Sequence, residues 1–179
     1  MARFVRPDVR LRQSYLAAMR EFADEGRAGD GSGIGSDLER YGDSWDSEEG
    51  FAAFVADKLA ESSGPVAEGW VHNTNLWWVE GPEGKAEYIG RMSIRHDLTD
   101  ELREVGGHIG YDVRRSRRRQ GHATAMLRAA LPVAARLGID PALVTCDEGN
   151  VASRKVIQTC GGVLEDQRGT KLRFWVPTT

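Results

Sequence analysis

The sequence predicts one mixed α/β domain spanning residues 1–179. Its central sheet is expected to be mostly antiparallel, with one splayed parallel pair and helices on its flanks. Three observations lead there. The chain has 179 residues, 40% of them hydrophobic and 28% charged, a length and balance suited to a single core without disulfide staples. Helical spacing of apolar residues dominates the first 60 positions, whereas strand-like runs crowd between 76 and 113. After 113 the order is loop, helix, strand, a connection that places its two strands parallel by a right-handed crossover.

Leu11, Tyr15, Leu16, Met19, Phe22 and Ala23 recur at helical intervals, so residues 10–25 read as an amphipathic helix stopped by Gly26. Residues 26–46 are polar and glycine-rich and read as a long loop. Their Gly33-Ile34-Gly35 is no dinucleotide fingerprint, because it follows a helix rather than a strand. Asp46 and Glu49 form a capping-box pattern before Phe51, Phe54, Val55, Lys58 and Leu59, a second short helix. Two helices are thus expected before the first strand. LWWV (76–79), EYIGRMSIR (87–95) and GHIGYDV (107–113) then form an antiparallel meander. Residues 121–137 read as a helix ending at Gly138, with a kink expected at Pro132 from its missing donor. ALVTC (142–146) is a strand, a short helix follows Asn150, and VLED (163–166) with KLRFWV (171–176) closes the chain as a hairpin.

Composition excludes several function classes. The longest apolar run, Ala129 to Ala135, is far below the roughly 18 residues of a membrane span. The first dozen residues mix charge with apolar side chains, unlike a secretory leader, so the expected location is the cytoplasm and no membrane partner is expected. Cys146 and Cys160 lack metal-ligand spacing and read as buried thiols, and no metal is expected. A net charge of -3 argues against nucleic acid as a partner. Yet five of the six residues from Arg114 to Arg119 are arginine, a local cationic site suited to a small, highly anionic ligand.

That site is YDVRRSRRRQGHATAML (111–127), where a strand ends at Val113 and a helix begins near Gly121. The first N–H groups of a helix lack internal partners and carry the positive end of its dipole, so they suit a pyrophosphate. Gly121 permits close approach, Ala123 leaves room and Thr124 offers a hydroxyl. The spacing Arg118-x-x-Gly121-x-Ala123 resembles the acyl-CoA signature of the GCN5-related N-acetyltransferases. Asn150-Val-Ala-Ser153 after ALVTC, followed by Gly161-Gly162-Val163, is similar to that family's second block, and the element order over residues 10–176 resembles its whole fold. The segments LWWV, SIRH and 106–127 more narrowly resemble a bacterial subgroup of predicted acetyltransferases without an assigned acceptor. The resemblance implies acetyl-CoA as co-substrate, lying between strands 107–113 and 142–146. Its pantetheine arm would pair with Val113, and its pyrophosphate would lie on Arg118, Arg119, Gln120, Gly121, His122, Ala123 and Thr124. Asn150 and Ser153 are then expected to touch the pantetheine, although Asn150 also reads as a helix N-cap. A homodimer is compatible with this fold.

The chemistry implied is direct acetyl transfer, in a ternary complex, to a primary amine of a small molecule or peptide. An alkyl ammonium titrates near 10.4, so the site must accept a proton, and donors are needed at the developing oxyanion, for which the resemblance points to the Val113 N–H. The tyrosine that protonates the leaving thiolate in many relatives is Ile157 here. Tyr111 and Ser153 are the substitutes. His108, Glu104 and His96 are the candidates for the base, although strand parity turns His108 away from the face of Tyr111 and Val113. His122 reads as turned to solvent, and His72 has no partner pattern. Trp45, Trp70, Trp77, Trp78 and Phe51 read as core rather than as pocket walls, and Asp97, Asp100, Glu101 and Glu104 as a solvated turn. The missing tyrosine motivates an alternative, an acyl-CoA-binding sensor with little turnover.

Overall fold

The structure is a computed structural model describing all of residues 1–179. Strand β1 (Arg3–Val5), β2 (Asn73–Glu80), β3 (Glu87–Arg95) and β4 (Ile109–Val113) form one antiparallel sheet in that order. β1 was not expected and adds an edge, pairing Phe4 with Trp78. Helices α1 (Arg12–Asp24), α2 (Gly33–Tyr41) and α3 (Glu48–Ala60) cover one face of this sheet. Their contact is aromatic: Tyr15, Phe22, Trp45, Phe51, Phe54, Trp77 and Tyr88 are all buried, and Tyr15 lies 4.8 Å from Trp77 ring to ring. Truncating one such ring, Phe54→Ala, would cost about 3–5 kcal/mol.

Three expectations about this half are corrected. The segment 26–46 is not all loop, because Ser32 caps α2 through the Gly35 N–H and buries Ile34. The glycines that signal a loop here serve close packing, since a Cβ at Gly33 would strike the Arg91 guanidinium. The cap of α3 is Ser47, whose hydroxyl accepts from the Gly50 N–H, so Asp46 lies one residue outside the helix. Accordingly three helices, with β1 ahead of them, precede β2.

On the other face lies α5 (His122–Arg136), preceded in sequence by the short α4 (Asp100–Glu104). α5 runs unbroken through Pro132. The carbonyl that Pro132 leaves without a donor belongs to the exposed Arg128, where water can take its place. Met126, Leu127, Ala130 and Ala134 turn inward onto Met92, Ile94 and Ile109. Beyond the crossover, β5 (Ala142–Asp147) pairs with β7 (Lys171–Val176), which pairs with β6 (Val163–Arg168), all antiparallel, with α6 (Val151–Thr159) between β5 and β6 in sequence. The hairpin is as expected.

The joint between the two sheets differs from the expected parallel ladder. β4 and β5 share no ladder. The chain entering β4 crosses β5 in the antiparallel sense: Gly107 bridges Val144, the His108 N–H donates to the Leu143 carbonyl at 2.7 Å, and the Gly106 N–H donates to Thr145 Oγ1 at 3.1 Å. From there β4 turns away to pair with β3, and a wedge opens between the sheets. Gly107 makes this possible, for its φ is +61° and a Cβ would lie 2.4 Å from the Leu143 carbonyl oxygen.

Candidate functional site: a wedge between two sheets

Hydrogen bonding fixes which part of β4 faces the wedge. The Arg114 N–H donates to the Ile89 carbonyl, and the pairs Asp112 with Arg91 and Gly110 with Ser93 share that register. Antiparallel strands alternate, so the main chain of Ile109, Tyr111 and Val113 points to the opposite edge, which no strand covers. The Val113 carbonyl is capped by Arg118 Nε at 2.8 Å. The open edge of β4 is therefore a ready acceptor for an extended arm and a source of N–H donors.

At the mouth of the wedge the chain makes a single 3₁₀ turn over 115–117 and then enters α5. Arg119 (φ +62°) and Gly121 (φ +82°) both take the left-handed conformation, and no side chain caps the helix. Its first N–H groups therefore have no side-chain partner. A Cβ at Gly121 would meet nothing within 4 Å, so the space before the helix is open. Gln120 is exposed and accepts from Arg117 Nε at 3.3 Å, and Ala123 and Thr124 are half-buried in the first turn. His122 is not turned to solvent. Its Nδ1 accepts from Trp78 Nε1 at 3.2 Å, which leaves the proton on Nε2, a buried atom without a partner.

Most of the arginines are structural. Arg114 is buried and donates to Glu21 at 2.5 Å and to Glu87 and the Tyr88 carbonyl at 3.2 Å. Arg117 pairs with Glu80 and Glu87, and Arg118 forks onto Glu25 at 2.6 and 2.7 Å. The loop is thus held by carboxylates from α1, from Glu25 just past its end, and from the β2–β3 hairpin. None of these four acids was legible as functional in the sequence, because none shares a motif with the loop.

Deeper in the wedge, Tyr111 Oη and Ser153 Oγ lie 2.8 Å apart, which brings together the two hydroxyls expected to replace the missing tyrosine. Burial holds the Tyr111 phenol well above its ordinary pKa, so it stays protonated. Asn150 caps α6 by accepting from the Ser153 N–H at 3.1 Å, and Ile157 is fully buried in the core. Cys146 and Cys160 are free thiols, both raised in pKa by burial.

The base candidates are scattered. His108 Nδ1 accepts from the Leu143 N–H at 2.9 Å, and burial, with Arg103 nearby, lowers its pKa to about 4. His96 Nε2 meets Thr74 Oγ1 at 2.8 Å, and burial and His72 lower its pKa. Glu104 pairs with Arg168 and, with Asp100, Glu101 and Arg173, lines a mixed-charge cleft between α4 and the β6–β7 hairpin. Trp45, Trp77, Trp78 and Phe51 are core residues, whereas Trp70 is exposed. No three His, Cys, Asp or Glu side chains converge as a metal site, and no helix is long and apolar enough to cross a membrane.

The fold is shared with known acetyltransferases. The microcin C7 self-immunity acetyltransferase MccE, solved with acetyl-CoA and AMP, superposes with a TM-score of 0.65 at 11% identity, covering 98% of this chain and 92% of that one. RimJ of Mycobacterium smegmatis, solved with CoA-disulfide, gives 0.64 at 16% identity over 98% and 80%. The PaiA N-acetyltransferase of Thermoplasma acidophilum, in complex with coenzyme A, gives 0.60 at 12% over 99% of each chain. No curated protein matches the sequence. The profile of the acetyltransferase (GNAT) domain matches residues 34–163, from α2 through the phosphate-loop candidate to the start of β6. With that match over well more than half its length, the chain belongs to the GNAT acetyltransferases.

Proposed function

We infer that the chain is an acetyl-CoA-dependent N-acetyltransferase that passes the acetyl group directly to a primary amine of a small molecule or peptide in a ternary complex. One observation carries the reading: an uncapped helix start, with Arg119 and Gly121 in the left-handed conformation, opens beside the free edge of β4. An elongated, phosphate-bearing thioester fits both at once. Its phosphates would meet the N–H groups of Gly121, His122, Ala123 and Thr124, and its arm would pair with Val113 and Tyr111.

The chain's own groups then divide the work. N–H groups on the open edge of β4, Val113 foremost, stabilise the negative charge that develops on the thioester oxygen. The hydroxyl pair Tyr111–Ser153 donates to the departing sulfur, Tyr111 being held protonated by burial. No covalent intermediate on the protein is required. His108 acts as a positioning residue in this reading: its acceptor nitrogen is spent on Leu143, so the neutral ring carries its proton on Nε2 and ties β5 to the entry of β4. The amine's proton is then a matter for His96, whose Nδ1 bears no hydrogen bond, or for Glu104 at the rim.

Calorimetry with CoA on the wild-type chain and on Gly121→Glu tests the site. Binding by the former and its loss in the latter support it, and equal binding by both overturns it. Thiol release from acetyl-CoA with a panel of amines separates the enzyme from the alternative, an acyl-CoA sensor, which would bind without turnover.

A further inference from the structure

We propose that the acceptor amine carries a carboxylate within a few bonds of its nitrogen, and that Arg95, beside the side-chain-free position Gly110, recognises it. This rests on the transferase reading above and names its substrate class.

Cross-strand partners point to the same side of a sheet, so Arg91, Ser93, Arg95, His108, Gly110 and Asp112 share the face covered by α1–α3. That face is rich in charge, and nearly all of it is paired. Arg27 pairs with Asp30 and Asp112, Arg91 with Asp112 and Asp37, and Lys58 with Asp37 and Glu61. Arg95 is the cation of this set without a carboxylate. Its Nη1 donates to the carbonyls of Gly106 and Gly107, both at 3.1 Å, and these are its only hydrogen bonds from the side chain. Nε and Nη2, the edge of a guanidinium that grips a carboxylate side-on, remain without an acceptor. Burial and the neighbouring Arg91 both depress its basicity, the mark of a desolvated cation lacking a counter-charge.

Position gives this edge its meaning. Gly106 and Gly107 are the residues where β4 crosses β5, so the guanidinium sits at the closed end of the wedge. A Cβ built on Gly110 would find only Arg95 Nη1 at 3.9 Å and Nη2 at 4.0 Å, and nothing else within 4 Å. The result is a notch at the open edge of β4, flanked by the main chain of Ile109 and Tyr111. A carboxylate bound there brings a nitrogen a few bonds away to that edge. A polycation would instead face an unpaired guanidinium, which disfavours it.

The test uses the full chain with acetyl-CoA and α-, β- and γ-amino acids, each beside its own carboxamide. The acids are expected to exceed their amides about tenfold or more in kcat/KM, the scale of one charge-assisted pair. Arg95→Gln should remove that preference while CoA affinity stays within about twofold. Gly110→Val, whose Cβ makes only ordinary contacts, should fill the notch and slow the acids to a similar degree. The proposal is overturned if acids and amides agree within about threefold, if Arg95→Gln keeps the preference, or if no acid binds the CoA-loaded chain at about 10 mM. Failure of the wild-type chain to bind CoA would instead overturn the transferase reading.

Discussion

Tyr111 on β4 and Ser153 on α6 share a hydrogen bond of 2.8 Å across the wedge. The pair joins β4 to α6, the helix that follows β5 in sequence. In the proposed reaction it supplies the protonated hydroxyl that Ile157, buried in the core, cannot.

Removing that pair should separate chemistry from binding. Tyr111→Phe is expected to lower kcat by about a hundredfold, the lower end for a lost general acid, with the Kd for CoA changed less than about threefold. Ser153→Ala should lower kcat less, since Tyr111 keeps its proton. Steady-state kinetics with calorimetry check both, and a Tyr111→Phe variant of unchanged kcat removes Tyr111 from the reaction.

Gly121→Glu adds a carboxylate where the anion is expected and imposes a side chain on a backbone of φ +82°. The backbone cost is about 1 kcal/mol, because the Cβ itself meets nothing. The variant should melt only a few degrees lower and lose CoA binding. Thermal melts and titration on one sample show whether the two effects come apart.

Stability should depend on pH through His108. Its folded pKa of about 4 lies below the ordinary 6.5, so the unfolded chain binds the extra proton between those values. Stability is therefore full above about pH 6.5 and declines as pH falls toward 4. The ring is partly solvated, which limits the contribution to about 1–2 kcal/mol. His108→Asn, which retains an acceptor near the Leu143 N–H, should flatten the urea midpoint across that window. An unchanged slope would assign the decline to other groups.

Glu21 anchors the basic loop from α1. Burial raises its pKa, but Arg114 and Ser116 outweigh that and hold it at about 2. The stability it confers is present above its ordinary value and lost as pH falls toward 2. Glu21→Ala leaves the buried Arg114 guanidinium short of a partner and should cost about 2 kcal/mol. It should also weaken CoA binding, since Ser116 loses both its hydrogen bonds to Glu21. Chemical denaturation and calorimetry measure the two effects, and full CoA affinity in this variant would show that the loop needs no anchor.

The sequence by itself determined the order of elements from β2 onward except the short α4, which stands where a solvated turn was expected, the start of α5 at a glycine behind five arginines, and the Asn150-Val-Ala-Ser153 segment whose asparagine caps α6. Each of these is written in local signals: alternation, helical spacing, a capping residue, or a residue able to take a positive φ. It also supplied Tyr111 and Ser153 as separate candidates, though not their contact.

Tertiary structure alone decided the rest. α2 went unread because Gly33 and Gly35, which signal a loop, serve there to let a helix lie on Arg91 and beside Arg27 and Asp30. Most of the arginines, which read as surplus positive charge, turn out to be paired, Arg114 with a carboxylate 93 residues away. His108 proved to be a tie between β4 and β5 through a main-chain N–H 35 residues on. Partners so distant leave no periodicity in the chain. Which cation is neutralised, and which, like Arg95, is left with an open edge, is fixed only when packing brings the strands together and removes water from between them.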